Sequence, residues 1–198
     1  MKTRSIRRYG LVPLMAAILL FMGCVTYVWN VAKIPTLQTG SPLRSVEPKT
    51  FAFKEFKDIR NVEDPLLLWE LQQAFIVKQL KSDQPLTTIV AMQIKKELER
   101  NGHKCVVYSP QMKADFVVEG IVYKFSVRSD VGMFTVSEIA NTGVKLTISR
   151  VPIDSGVFVK SFEGDITTNN AIIALNEALL SMIKEMSTDT ELVEFIKK

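Results

Sequence analysis

The stretch Ala114-Asp115-Phe116-Val117-Val118-Glu119-Gly120-Ile121-Val122-Tyr123-Lys124-Phe125 decides the fold class. Its apolar residues fall on both parities. That predicts a central strand covered on both faces, or one that bends. Gly120 in its middle predicts a bulge or a close backbone approach.

Upstream, Asp83 as a cap, Pro85 in the first turn and Ile89, Val90, Ile94 and Leu98 at helical spacing predict a helix. Asn101-Gly102 closes it. Lys104 to Tyr108 follows as a short strand, and Thr50 to Lys57 reads as a half-buried strand whose pattern slips at Phe56. Leu66 to Leu80, opened by Asp64-Pro65, suits a helix, while Phe75-Ile76-Val77 suits a strand equally well. Downstream, Val144, Leu146 and Ile148 alternate with Lys145, Thr147 and Ser149, a strand with one wet face. Pro152 to Gly156 is turn chemistry leading to a strand over Val157 to Phe162. A long helix near Asn170 to Met186 carries a wide apolar band, and Thr188-Asp189 starts a short helix over Leu192 to Ile196. The fold class expected is a single α+β domain. Its antiparallel sheet has about four to five strands, with two main helices packed on one face.

The N-terminus gives an address. Lys2, Arg4, Arg7 and Arg8 form a positive region, Gly10 to Met22 an apolar one, and Gly23-Cys24 follows. That order reads as an export signal, and Gly-Cys resembles a lipobox, which makes Cys24 the candidate lipid attachment site. The division expected is a signal peptide over 1–23, an acylated cysteine and flexible tether over 24–48, and a periplasmic domain over 49–198. The tether is suggested by Pro35, Gly40, Pro42 and Pro48. Phe21 and Met22 depart from the usual lipobox, and no charge appears between Tyr9 and Ala32. An uncleaved transmembrane helix at 9–32, with Tyr27 and Trp29 near the interface, is therefore the alternative anchor. Both readings carry the body of the protein out of the cytoplasm.

The net charge of +4 misleads, because four basic residues and no acidic one precede Cys24. The remaining chain is neutral, and no clustered basic face marks a nucleic-acid partner. Cys24 and Cys105 are the two cysteines. If Cys24 is acylated, Cys105 lacks an intramolecular partner. In its apolar run it reads as a small buried hydrophobe, against a reactive thiol or a disulfide to Cys24.

The sequence order, with Phe56-Lys57-Asp58-Ile59-Arg60, Ser82-Asp83-Gln84-Pro85-Leu86, Leu98-Glu99-Arg100-Asn101-Gly102 and Ala114 to Gly120, resembles the YajG-type small lipoproteins of Gram-negative envelopes. More loosely it resembles the auxiliary lipoproteins of envelope ABC transport and lipopolysaccharide assembly. The resemblance implies an outer-membrane lipoprotein without established chemistry, docking a partner through a sheet edge or loop. Asp58 to Arg60 and the Ala114 to Gly120 pattern mark a fold, not a reaction.

No catalytic constellation stands out, and no cofactor motif is present. His103 is the one histidine. It reads as a structural residue at a helix end, since a metal site needs further ligands. Asp115, Glu119, Glu163 and Asp165 lie on or beside strands, and acid–base work needs two of them to converge in a cleft. Ser129 to Gly143 reads as a long hairpin connection. Its Met133 and Phe134 are candidate partner contacts or fold back onto the core. Two function classes follow. One is a non-enzymatic accessory or adaptor of an envelope assembly. The other is a lipid or glycan carrier whose sheet and final helix enclose a ligand. Val25 after the cysteine points to the outer membrane, with the inner membrane as the alternative.

Overall fold

The Ala114–Phe125 run lies inside one long strand, and the rest of the domain is built around it. In chain order the elements of the computed structural model are β1 (Gly23–Trp29), β2 (Thr50–Phe53), β3 (Lys57–Asp58), β4 (Leu67–Gln73) and β5 (Ile76–Ser82). There follow α1 (Leu86–Arg100), β6 (Lys104–Val107), β7 (Phe116–Val131), β8 (Val136–Arg150), β9 (Val157–Thr168), α2 (Ala171–Thr188) and α3 (Thr190–Lys197). Residues 23–37, 40–73, 76–131, 135–152 and 155–198 are described.

The large sheet has the order β6-β2-β7-β8-β9, with β3 also pairing β7. The architecture is α+β, as expected, but the sheet is larger and mixed. β2 is parallel to both β6 and β7, and β3 is parallel to β7. The reason is connection length: a strand that returns through a helix such as α1 re-enters beside its predecessor in the same direction. The antiparallel part is the meander β7-β8-β9. It absorbs most of Ser129 to Gly143, which is strand up to Val131 and again from Val136 and not a long connection.

The slip at Phe56 is a strand break. β2 and β3 follow the same edge of β7, and Phe56 crosses over Gly120 between them. A Cβ at Gly120 would stand 2.6 Å from Cζ of the Phe56 ring, so the glycine serves a close approach. The register shift of β7 falls later, between Val122 and Lys124.

A second sheet has the order β1-β5-β4. Leu66 to Leu80 is thus not helical. The β4–β5 hairpin pairs antiparallel, and β1 adds to β5 in parallel, so cross-strand pairing outweighs the helical pattern. Asp64 does not cap a helix: its carboxylate accepts from Leu66 N (2.9 Å) and Lys81 Nζ (2.7 Å) to set the turn into β4. Trp29 ties this sheet to the main core. Its ring lies 5.6 Å from that of Phe125 and its Nε1 donates to Asn176 Oδ1 at 2.8 Å.

The expected flexible tether is replaced by packed chain over much of its length. Ile34, Leu43 and Val46 are buried, and the Ser41 hydroxyl donates to Ser187 O at 2.6 Å. Three apolar side chains among the prolines are enough to hold the segment on the core.

α1 starts two residues later than expected, with Pro85 in the cap position in place of Asp83, and it buries Ile89, Val90, Ile94 and Leu98. Gly102 has φ of +93°, the left-handed stop the sequence predicts. α2 is capped by Asn170, whose side chain accepts from Ile172 N and Ile173 N. α3 is capped by Asp189. α2 lies against β8 and β9 with no gap: a Cβ at Gly164 would overlap the Ala178 carbonyl oxygen and stand 2.9 Å from Met182 N. The Thr142 hydroxyl sits within hydrogen-bonding distance of the carbonyls of Gly164 (3.2 Å) and Ala178 (3.1 Å).

Candidate functional site

β1 carries the one residue to which the sequence assigns a covalent role. Cys24 pairs with Val77 in the parallel register of β1 and β5, directly followed by Val25 opposite Lys78 and Tyr27 opposite Leu80. No charged residue occurs in Gly23–Trp29. Val25, Tyr27 and Val28 are exposed, whereas Trp29 is buried at the end of the strand. A cleft of about 290 Å³ runs beside Tyr27, lined also by Lys78, Leu80, Asn169, Asn170, Ala171 and Ile172.

This placement bears on the anchor. A spanning helix over 9–32 is incompatible with β1, and Trp29 packs in the core and not at an interface. Among the described residues no helix is long and apolar enough to cross a membrane.

The other residues singled out from the sequence are scattered. Met133 and Phe134 lie outside the described residues. Cys105 is a free, half-buried thiol whose Sγ lies 3.8 Å from Lys95 O. Burial, reinforced by Glu99, pushes it up to about 12, far from a thiolate nucleophile. Asp115 accepts from Thr50 N at 2.7 Å, and Glu119 pairs with Lys54 at 2.6 Å. Glu163 and Asp165 both face Lys124 at 3.2 Å on the open side of the sheet. The Tyr123 hydroxyl donates to Glu163 at 2.7 Å. Burial and Glu163 push Tyr123 up to about 12. These carboxylates anchor strands and do not converge in a cleft. Among the described residues no group of three or more His, Cys, Asp or Glu side chains is placed to hold a metal.

Asp58 and Arg60 form a clamp. Arg60 Nη2 and Nε meet the Asp58 carboxylate at 2.7 and 3.0 Å, and its other N–H groups donate to Phe125 O (3.0 Å) and Pro65 O (2.7 Å). One side chain thereby holds β3, the turn before β4 and the middle of β7 together.

His103 is buried, with its ring edge-on to Phe51 and Nδ1 accepting from Lys49 N at 3.3 Å. Burial holds it below the ordinary histidine range, against the opposing polarity of the Leu43 carbonyl. The unfolded chain therefore takes up this proton first. The stability His103 confers is complete above about pH 6.5 and declines as pH falls towards its folded value. The urea midpoint is expected to drop on acidification from neutrality, and His103→Gln, which keeps an acceptor for Lys49 N, is expected to flatten that slope.

The interface that a carrier would need, between the sheet and α2, is filled by the Gly164–Ala178 contact. A separate open groove of about 400 Å³ lies between α1 and β2, lined by Phe53, Phe56, Ala91, Met92 and Val107 among others.

Protein XCC0632 from Xanthomonas campestris, of the DUF330 family model, superposes with a TM-score of 0.59 at 13% identity, covering 86% of this chain and 97% of that one. The two chains share a fold. Weaker similarities include the PelC dodecamer protein from Paraburkholderia phytofirmans (TM-score 0.39, 12% identity, 76% and 91% covered). Lipoprotein GNA1162 from Neisseria meningitidis is a further one (TM-score 0.39, 6% identity, 75% and 92% covered). No family model matches this chain, and no curated protein matches its sequence. A shared fold alone assigns no activity. The sequence signals missed the small sheet, because β1 lies inside a stretch that also reads as a membrane segment and its partner β5 reads equally as a helix.

Proposed function

We propose that this chain is an envelope lipoprotein, acylated at Cys24, that serves as a non-catalytic accessory or adaptor subunit of an envelope transport or assembly system. The observation that carries the reading is the place of Cys24. It follows the apolar run Gly10 to Met22 and Gly23 in sequence, and it lies in strand β1, in parallel register with β5. A strand over Gly23–Trp29 is at odds with one continuous helix over 9–32 and fits a mature chain that starts at the cysteine. The fold shared with the DUF330 structure supports a small α+β domain of the kind the resemblance implies. Val25, not an aspartate, after the cysteine favours the outer membrane. The partner is an envelope protein and not a nucleic acid.

The test is the mass of the mature N-terminus isolated from membranes, wild type beside Cys24→Ser. A diacylglyceryl-bearing Cys24 as first residue is expected in the wild type and unprocessed chain in the variant. An intact terminus retaining Lys2 to Arg8 in both would refute lipidation.

A further inference from the structure

We infer that β1 and the start of α2 form a surface that rests on the lipid bilayer, so that the domain lies on the membrane and does not hang from it on a tether. The inference rests on the acylation of Cys24 proposed above and adds to it a face, an orientation and a set of residues. Three observations converge on this surface.

The first is distance. Cys24 is already in register with β5, so no free chain separates the anchor from the fold. Tyr27 stands about 10 Å along the strand from Cys24, at ~3.3 Å per residue. Acyl chains at Cys24 bring everything within that reach to the headgroup layer.

The second is composition. β1 is an edge strand, and it exposes Val25 and Tyr27 on one side and Val28 on the other. Ile172 and Ile173, in the first turn of α2, are exposed as well, and Ile172 shares the cleft with Tyr27. Apolar side chains on both sides of an uncharged edge strand are costly in water and favourable at a lipid interface. Tyr27, with an apolar ring and a polar tip, suits that depth.

The third is charge. Among the described residues, the polar side chains lining the cleft besides Tyr27 are Lys78, Asn169 and Asn170, a cation and two neutral amides with no carboxylate among them. Lys78 lines the cleft, and a lysine there can offer its ammonium to lipid phosphate.

The acylated chain, reconstituted in vesicles of phosphatidylethanolamine with a minority of phosphatidylglycerol, is tested by hydroxyl-radical footprinting read by mass spectrometry. Tyr108, which follows edge strand β6 of the other sheet, is the internal reference. In water Tyr27 (49% exposed) should label at least as strongly as Tyr108 (37% exposed). On vesicles Tyr27 is expected to label several-fold less than Tyr108, with Ile172 and Ile173 protected relative to Val107. Tyr27 labelling as strongly as Tyr108, on a chain whose N-terminal peptide carries the acyl mass, overturns the surface and leaves the lipoprotein reading standing. Full labelling on a chain without acyl mass overturns both. Protection that grows with protein density on the vesicle means a second copy covers the face, which overturns the lipid assignment.

Discussion

Gly164→Ala is expected to destabilise the domain by about 3 kcal/mol, among the largest effects of a single methyl group here. The added Cβ would overlap the Ala178 carbonyl oxygen and come within 2.9 Å of Ala178 C and Met182 N. These are backbone atoms in the middle of α2, so no rotamer change relieves the clash and the whole helix must lift off β9. Lifting it also separates the Thr142 hydroxyl from the Ala178 carbonyl, leaving that buried hydroxyl with the Gly164 carbonyl alone. Urea unfolding monitored by circular dichroism checks this, with Gly40→Ala as the comparison. A Cβ at Gly40 meets nothing within 4 Å and should move the midpoint little. Equal midpoints for the two variants would show that α2 does not sit this close to the sheet.

The second large effect is expected at Arg60. Arg60→Met should cost about 3–5 kcal/mol, the usual range when one member of a buried ion pair is removed. The Arg60 side chain is 5% exposed and that of Asp58 is 19% exposed, so the orphaned carboxylate has little water to turn to. The carbonyls of Phe125 and Pro65 lose their donors at the same time. Arg60→Lys should recover little, because a single ammonium cannot reach a carboxylate and two carbonyls in three directions. Asp58→Asn combined with Arg60→Met should be less destabilised than the sum of the single changes, since it removes both charges together. Thermal or urea unfolding of the four chains reads the cycle, and additivity would mean that the pair is not coupled.

The elements with a strong local period were legible in the sequence. α1 follows from Ile89, Val90, Ile94 and Leu98 with Gly102 as its stop, and α2 and α3 follow from their apolar spacing and from Asn170 and Asp189. The β8 face follows from Val144, Leu146 and Ile148. Gly120 announced a close approach, and Phe56 is what approaches. What was not legible depends on partners distant in the chain. β2 is four residues long, and nothing in Thr50-Phe51-Ala52-Phe53 states that its neighbours run parallel to it. Val25-Thr26-Tyr27-Val28 reads as membrane or strand with equal ease, and only the pairing with Val25↔Lys78 and Tyr27↔Leu80 separates the two. Of the candidate site, Cys24 was legible as chemistry but not as the start of a strand. The exposed faces of Tyr27 and Ile172 required the fold, because they lie far apart in sequence.

The parallel placement of β2 has a consequence for how this chain reaches its native state. The Thr50–Asp115 hydrogen bond closes a separation of 65 residues, whereas the β7-β8-β9 meander is closed by short turns. Loop-closure entropy favours the meander first and the insertion of β2 between β6 and β7 afterwards. In export from the N-terminus, as proposed above, β2 emerges well before either neighbour. Phe51 and Phe53 then stay uncovered until β6 and β7 have crossed. During that interval the segment is an extended apolar strand with two free edges, the form that an envelope chaperone can recognise and that self-association would exploit. Two phenylalanines that are fully protected in the finished domain are thus exposed during its transit.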